Sequence, residues 1–329
     1  MPAPAFIWTR PGHWLYQLWH RPKASLERSV REGGPFEQWK TRRARTEMRV
    51  AAARLAPMPV RAPRNDEPCL FFLTGNSYWE QTAFCLRSLQ LQTPGQTWPV
   101  VVVDDDTLQP AQWASLAAAF PGLSLTAGEN LRQSLDTRFP CGRFPALRAH
   151  REHFALLRKL TDVHAARPGA NLFLDADMLF HRQPAALLAW FDDPSQPLVM
   201  TDLTESYGYS RAQLSALTST SIPPLVNTGV CGLVSARIDW TEVERWTRTL
   251  LDTCGSHYFL EQALVALLLG ETPFRQLSAT DYIVGPPSAE ILAPRACLHH
   301  YVALTKRDYF RHAWRRFATE TLPELPRRP

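Results

Sequence analysis

Two carboxylates interrupt an otherwise apolar run in the middle of the chain. Asp175 and Asp177 stand two residues apart within residues 172–180, and all the remaining positions of this run are Leu, Phe, Ala or Met. Carboxylates buried in such a run need a cation or several hydrogen-bond donors, and in an extended chain residues i and i+2 point to the same side. The spacing therefore predicts that both acids face one divalent cation. It leaves open a second interpretation, in which the two acids cap a neighbouring helix.

A second polar cluster, near the end of the chain, offers partners for the same cation. His299 and His300 are adjacent, and Lys306 lies six residues after His300. Neutral imidazole is a suitable Mn²⁺ ligand beside carboxylates, and a lysine ammonium binds phosphates that such an ion bridges. Taken alone, a histidine pair is more often structural and a lysine more often solvent-exposed. These residues therefore support the cation site only in combination with the acidic pair.

The pattern around these residues predicts an α/β fold. From residue 69 onward, short apolar runs alternate with amphipathic stretches, which indicates βαβ units and a largely parallel sheet. We expect strands at residues 69–74, 99–103, 171–174, 198–201 and about 230–234, and helices at about 79–91, 147–164 and 258–269. The predicted fold class is a doubly wound, mostly parallel sheet flanked by helices, with residues 66–329 as its domain.

Polar residues follow four of the predicted strands. Because ligands in such folds bind beyond the carboxyl ends of the strands, we expect a single site at that edge of the sheet. The residues concerned are Thr74 and Asn76, the run Asp104, Asp105 and Asp106, the pair Asp175 and Asp177, and Asp202.

Residues 1–65 form a basic N-terminal extension that we expect to be helical and to end in a Pro/Arg-rich linker. This extension holds 13 Lys or Arg against 4 Glu, so the other 264 residues sum to a net charge of −4. A nucleic-acid-binding protein usually carries its basic surface on the folded domain, so we expect no nucleic-acid partner. Trp8, Trp14, Tyr16 and Trp19 accompany the charges. Two interpretations stay open, a solvated helix face and peripheral contact with an anionic membrane.

Three further features bear on the cellular compartment. No stretch of 18 or more apolar residues is present, so we predict no membrane-spanning helix. The first residues lack the apolar core and cleavage site of a secretory signal. The six cysteines are scattered and form no zinc or redox motif. We therefore expect a cytoplasmic protein with reduced thiols, and membrane association stays open.

With these elements in place, the chain resembles the metal-dependent, GT-A-type glycosyltransferases, in particular the glycogenin-like retaining family 8, which uses UDP-sugars. The resemblance covers about residues 70–310, with the motifs in the family's order. The Asp-X-Asp motif matches Asp175 to Asp177, and the His-X₅-Lys element matches His300 to Lys306. The remaining matches are Lys159, in the family's basic position 16 residues before the first Asp, the strand start Asn227-Thr228-Gly229-Val230, the pair Glu261-Gln262, and the first-strand loop from Thr74 to Tyr78.

Two positions depart from the family's pattern. The family often has Gly three residues after the His, where the backbone approaches the diphosphate, and this chain has Ala303. The family also often has Pro-Trp after the Lys, and here Arg307 and Asp308 follow. We expect the metal and phosphate contacts to survive these changes, whereas the path of the loop is expected to differ.

The resemblance implies a donor-binding role for most of the matched residues. Asp175, Asp177 and His300 are expected to hold one Mn²⁺ or Mg²⁺, with a UDP-sugar as donor. Lys306 and Lys159 are expected to donate to the phosphates or to a hydroxyl of the donor sugar, although surface lysines are the alternative. The residues expected near the base and ribose are Thr74, Asn76 and Tyr78, with Asp104 or Asp105 nearby; for these, ordinary turn chemistry at strand ends is the alternative.

The resemblance also implies a catalytic side of the site. Asn227, Glu261 and Gln262 are expected to line the sugar and acceptor side, and a buried hydrogen-bond network is the alternative for them. The family implies front-face attack by an acceptor hydroxyl, with Gln262 close to the anomeric carbon and with retention of configuration. Asp202 and the segment Tyr207-Gly208-Tyr209-Ser210 are candidates for acceptor recognition, since aromatic residues stack on sugars. The acceptor is a glycan, lipid or protein hydroxyl.

Two other functions remain as alternatives. A nucleotidyltransferase also uses a doubly wound sheet with an acidic pair, but it is expected to have a Gly-rich, basic loop after the first strand, and residues 74–77 contain no basic residue. A catalytically inactive protein that binds a nucleotide-sugar or a polysaccharide is expected to have a broken metal set, and Asp175, Asp177 and His300 are all present.

Overall fold

The computed structural model describes residues 33–64, 67–270 and 272–318. The α-helices are α1 (Gly34–Ala52), α2 (Trp79–Gln92), α3 (Pro110–Ala119), α4 (Gly128–Arg138), α5 (Pro145–Arg151), α6 (Arg158–Ala166), α7 (Ala185–Asp192), α8 (Arg211–Ser215), α9 (Trp240–Cys254), α10 (Leu260–Gly270), α11 (Ser288–Leu292) and α12 (Lys306–Arg311). The strands are β1 (Cys69–Thr74), β2 (Val100–Asp104), β3 (Ser124–Thr126), β4 (Ala170–Leu174), β5 (Met178–Phe180), β6 (Leu198–Thr201), β7 (Val226–Val234), β8 (Arg275–Gln276), β9 (Tyr282–Val284) and β10 (Leu298–His300).

The strands form a seven-stranded sheet in the order β3-β2-β1-β4-β7-β6-β8 and a three-stranded sheet in the order β5-β10-β9. In the larger sheet β7 runs antiparallel to β4 and β6, and the other neighbouring pairs are parallel. Because β7 is reversed between them, β4 and β6 point the same way. The carboxyl ends of β1, β2, β4 and β6 therefore share one edge with the start of β7, and the predicted mostly parallel sheet is confirmed.

The strands are buried on both faces, which explains their continuous apolar sequences. Successive side chains alternate between two hydrophobic clusters. Phe72 belongs to one cluster with Phe84 of α2, whereas Phe71 belongs to the other with Leu264 of α10. Helix α10 is almost wholly apolar and buried, as predicted. Helices thus cover both faces of the sheet, as in doubly wound folds.

Helix α1 packs on the domain that follows it. Met48, Ala51 and Ala52 are buried, and they belong to the same hydrophobic cluster as strand β1. The linker continues along the sheet, where Val60 donates its N–H to the carbonyl of Pro121 at 2.9 Å. Residues 1–32, with Trp8, Trp14, Tyr16 and Trp19, lie outside the described residues, and the division of the chain at residue 65 stays a prediction. None of the helices in the described ranges has the length and apolar character of a membrane span.

The predicted helix over residues 147–164 is wrong in one respect, because two helices stand there. Helix α5 ends at Arg151 and α6 begins at Arg158. The Arg151 guanidinium donates to both carboxylate oxygens of Asp162, at 2.6 and 2.7 Å, and both side chains are buried. Residues 11 apart in one continuous helix are separated by about 16 Å along its axis. The break between the helices is what allows this buried pair to form.

Candidate active site

The acidic pair lies where the chain leaves the large sheet for the small one. Asp175 follows β4, and its N–H donates to the carbonyl of Gly229 at 2.8 Å; Asp177 immediately precedes β5. Strand β10 runs antiparallel to β5 and pairs His300 with Met178. The crossing between the two sheets therefore brings His300, far along the chain, beside the acidic pair.

Asp175, Asp177 and His300 converge. One candidate ligand atom from each residue lies within 4.8 Å of the other two. The Nε2 atom of His300 is 3.3 Å from Oδ1 of Asp177 and 3.6 Å from Oδ2 of Asp175. Two carboxylates and one imidazole nitrogen form a mixed oxygen and nitrogen donor set, which suits Mn²⁺ and Mg²⁺ better than a soft metal. The side chains present thus fit one divalent cation.

Two lysines complete the charge balance at the acidic pair. The Nζ atom of Lys159 is 2.7 Å from Oδ1 of Asp175, and that of Lys306 is 2.9 Å from Oδ2 of Asp177. Burial lowers the pKa of each lysine, but the facing carboxylates raise it by more, so both ammonium groups stay protonated. Burial raises the pKa of Asp177, but His300 and Lys306 hold it well below its usual range. Asp177, Lys159 and Lys306 are therefore ionised at neutral pH.

Gly229 leaves the space that the His300 ring occupies. A Cβ atom at position 229 would lie 2.6 Å from Cε1 of His300 and 2.6 Å from Cε of Met178. Real Cβ contacts are essentially never this close. A glycine in the middle of a strand is a sequence signal for close approach, and here it explains why the Asn-Thr-Gly-Val element contains one.

Asp202 joins the residues predicted for the sugar side. Its Oδ2 atom accepts from Nδ2 of Asn227 at 3.1 Å and from Nε2 of Gln262 at 3.3 Å. The Gln262 amide also donates to the carbonyl of Ser206 at 2.9 Å, and Oδ1 of Asn227 accepts from the N–H of Gly229 at 2.9 Å. Asp202 lies at the predicted edge of the sheet, but its role as the common partner of the two amide side chains was not predicted.

Glu261 is a buried carboxyl beside this network. Thr228 donates its hydroxyl to Oε2 of Glu261 at 2.9 Å. Burial raises the pKa of Glu261 to about 7, and the Lys159 ammonium and the Thr228 hydroxyl only partly offset that effect. Glu261 therefore changes protonation state near neutral pH.

Tyr207 and Tyr209 are packing residues, so their prediction as stacking platforms for an acceptor is wrong. Both are buried, Tyr207 donates its hydroxyl to the carbonyl of Pro223, and Tyr209 donates to the carbonyl of Gly255 at 3.1 Å. Buried rings offer no face to a sugar.

The first-strand loop has one exposed ring and two side chains that are already engaged. Thr74 is fully buried, and its hydroxyl is hydrogen-bonded to that of Thr82. Asn76 accepts from Gln112 at 2.6 Å through its side-chain oxygen. Tyr78 is 45% exposed at the start of α2. Of the predicted base and ribose contacts in this loop, Asn76 and Tyr78 are exposed and Thr74 is buried.

Asp104 and Asp105 stabilise the turn after β2. Oδ1 of Asp104 accepts from the N–H groups of Thr107 at 3.1 Å and Leu108 at 3.0 Å. Oδ1 of Asp105 accepts from the same Thr107 N–H at 3.0 Å. These bonds are the turn chemistry that is the alternative interpretation of the two residues. One oxygen of each carboxylate is used in this way, so a ligand role for these residues stays a prediction.

Comparisons with solved structures identify the fold. Two structures of the galactosyltransferase LgtC, one with donor and acceptor sugar analogs and one of an active-site mutant, each cover 78% of this chain and 97% of their own; they are 15% and 16% identical, with TM-scores of 0.50 and 0.51. The bifunctional glycosyltransferase WbbM is 13% identical, with a TM-score of 0.50 over 76% of this chain and 50% of its own. The sequence matches no protein-family model and no curated protein. The chain has the fold of the GT-A glycosyltransferases.

Proposed function

We propose that this protein is a glycosyltransferase that moves a sugar from a nucleotide-sugar, a UDP-sugar, to an acceptor hydroxyl with the help of one divalent cation. One observation carries the proposal. Asp175, Asp177 and His300 lie within 4.8 Å of one another at the carboxyl edge of a GT-A sheet, with Lys159 and Lys306 in contact with the two carboxylates. A site of this charge and chemistry suits a metal-bound diphosphate.

The chain's own residues divide the work in this proposal. Asp175, Asp177 and His300 would hold Mn²⁺ or Mg²⁺, which stabilises negative charge on a departing diphosphate. Lys306 is 41% exposed and would turn from Asp177 toward the phosphates. Lys159 is 10% exposed, and its ammonium is held over the ring of Phe173, so it would stay in place as a fixed positive charge.

The proposed sugar-binding side of the site is formed by the side-chain amides of Asn227 and Gln262, which Asp202 orients. Asn227 and Gln262 share one carboxylate oxygen of Asp202, so their remaining amide oxygens and protons have defined directions. We assign the donor sugar and the acceptor hydroxyl to this side, with Gln262 near the anomeric carbon and Glu261 behind it. Transfer with retention is the stereochemical outcome that the family resemblance implies.

The intact charged cluster favours an enzyme over an inactive binding protein. A protein that has kept the fold but lost turnover is expected to have lost one or more of the metal-ligating residues. Here all three residues are present and converge. The loop after β1 also lacks the basic residue expected of a nucleotidyltransferase. Both observations support sugar transfer.

This function is tested by an assay of sugar hydrolysis or sugar transfer with a panel of nucleotide-sugars in the presence of Mn²⁺. Wild type is expected to release UDP from one UDP-sugar, and Asp177→Ala is expected to abolish that release while the fold is kept. Asp252→Ala, at an exposed position of α9, is the matched control and should behave as wild type. Full activity of Asp177→Ala, or release of pyrophosphate from a nucleoside triphosphate, would contradict the proposal.

We also propose a peripheral contact between helix α1 and an anionic membrane. Phe36 and Trp39 are 64% and 54% exposed and stack on each other, and Lys40 and Arg43 lie over their rings. Exposed aromatic rings beside cationic side chains are typical of helices that lie in the membrane interface.

Vesicle co-sedimentation tests this contact. Wild type is expected to bind phosphatidylserine-containing vesicles more than pure phosphatidylcholine vesicles, and Trp39→Ser should lower the bound fraction. Leu292→Ser removes another exposed apolar side chain, 70% exposed, elsewhere on the surface and should not. Equal binding of wild type and Trp39→Ser would refute a role for this face.

A further inference from the structure

Two arginines of helix α1 contact a fully buried carboxylate of helix α2. The side chain of Glu80 has no exposed area. Its Oε1 atom is 2.7 Å from Nε of Arg45 and 3.3 Å from Nε of Arg49. Arg45 and Arg49 stand four residues apart, so they share one face of the helix. A buried carboxylate requires such a partner, and here the partner belongs to a part of the chain that lies before β1.

The same two guanidinium groups also bind the backbone of the loop that precedes α2. Arg49 donates from Nη2 to the carbonyl of Asn76 at 3.2 Å, and Arg45 donates from Nη2 to the carbonyl of Ser77. These are the two residues immediately before Tyr78. On the other side of the loop, Thr107 accepts from the N–H of Asn76 at 2.9 Å. The loop is therefore held between helix α1 and the turn after β2.

The N-terminal part of helix α1 contacts a second element of the candidate site, helix α12. Glu37 accepts from Nη1 of Arg311 at 2.5 Å, and Thr41 accepts from Nε of Arg311 at 3.0 Å. Arg311 is the last residue of α12, the helix that begins at Lys306. Helix α1 thus bridges the loop that carries Tyr78 and the helix that carries Lys306.

We propose that helix α1 is a brace for the nucleotide-binding edge, in which Arg45 and Arg49 are positioning residues that set the backbone of residues 75–78. The nature of the ligand rests on the proposed function, whereas the ordering of the loop does not. Charge-assisted hydrogen bonds to backbone carbonyls are stronger than neutral ones, so the loop is ordered before the nucleotide arrives. Ordering in advance reduces the entropy lost on binding.

The test compares Arg49→Met, Arg49→Lys and Arg42→Met. Arg49→Met removes the bond to Asn76 and leaves Arg45 on Glu80. Arg49→Lys keeps a cationic donor. Arg42→Met removes an exposed charge from the same helix and is the matched control. Two quantities are measured, amide hydrogen exchange across residues 75–82 without ligand and the Kd for UDP in the presence of Mn²⁺.

In Arg49→Met, exchange of the Tyr78 and Trp79 amides, which donate to Gly75, is expected to be about 10–100-fold faster, as for the loss of one hydrogen bond to a charged group. The Kd for UDP should rise by a similar factor, while Arg49→Lys restores both quantities and Arg42→Met changes neither. Unchanged exchange in Arg49→Met would overturn the brace. If wild type fails to bind UDP with Mn²⁺, the proposed function fails, and the exchange measurement alone still decides whether the brace exists.

Discussion

Gly229→Ala is the substitution whose effect on the candidate metal site is most directly defined by the structure. The added methyl group would lie 2.6 Å from Cε1 and 2.8 Å from Nδ1 of His300, where ordinary contact begins at 3.4 Å. Gly229 does not adopt a left-handed backbone, so the added side chain causes no backbone strain and the effect is purely steric. Met178 is the other neighbour, and its flexible end can move aside. His300 is buried, so its ring must shift.

The size of the effect follows from the overlap. Relieving an overlap of 0.8 Å requires the imidazole to retreat by about that distance, and overpacking of this kind costs about 1–3 kcal/mol in stability. Displacing a metal-ligating histidine through its supporting contacts typically costs about 10–100-fold in metal affinity. The binding free energy of the metal ion is therefore predicted to weaken by about 1.4–2.8 kcal/mol, and metal-dependent binding of UDP should weaken with it.

Calorimetric titration of UDP in the presence of Mn²⁺ measures this loss, and the same strand provides a matched control. A Cβ atom at Gly232 would lie 2.7 Å from the ring of Trp190, in the hydrophobic core away from His300. Gly232→Ala should lower the melting temperature as Gly229→Ala does, but should leave the Kd for UDP unchanged. Equal effects of the two variants on Kd would refute the steric link between Gly229 and His300.

Two further predictions concern protonation and backbone strain. Burial raises the pKa of Glu261 from 4.5 to about 7, so the folded state retains a proton that the unfolded state loses, and wild-type stability falls as pH rises through this window. The free energy of unfolding of Glu261→Gln relative to wild type should accordingly rise by up to about 3 kcal/mol from pH 4.5 to pH 7, measured by urea denaturation; a difference that does not vary with pH would contradict it. Ala303 has a φ of 47°, which is unfavourable for a residue with a Cβ atom, so Ala303→Gly should raise stability by up to about 1 kcal/mol and Ala303→Val should lower it. Thermal unfolding checks this pair, and a less stable Gly variant would be inconsistent with the observed backbone.

Five strands of the larger sheet (β1, β2, β4, β6 and β7) and the convergence at their edge were predictable because their signals are local. The run from Val100 to Val103 is apolar and β-branched, and polar residues mark where it stops, so the predicted strand ends within one residue of the observed one. Asp175 and Asp177 are recognisable because two acids within an apolar run are costly without a partner. Ala303 has a left-handed backbone, which glycine adopts at lower cost.

The interactions that were missed join residues far apart in the chain. The bonds from Asn227 and Gln262 to Asp202 leave no periodic trace, and neither does the pairing of Arg45 and Arg49 with Glu80. The burial of Thr74 was also unpredictable, since a strand covered on both faces has no polar side to reveal which way a residue points. The break between α5 and α6 was missed as well, because the buried pair of Arg151 and Asp162 that it allows leaves no periodic trace in the sequence.

The central claim is that Asp175, Asp177 and His300 bind a divalent cation that holds a nucleoside diphosphate. Isothermal titration of UDP into wild type and Asp177→Asn, each with and without Mn²⁺, tests it most directly. We predict binding to wild type only in the presence of Mn²⁺ and no binding to Asp177→Asn under either condition. Metal-independent binding of UDP, or no binding to wild type at saturating Mn²⁺, would contradict the claim.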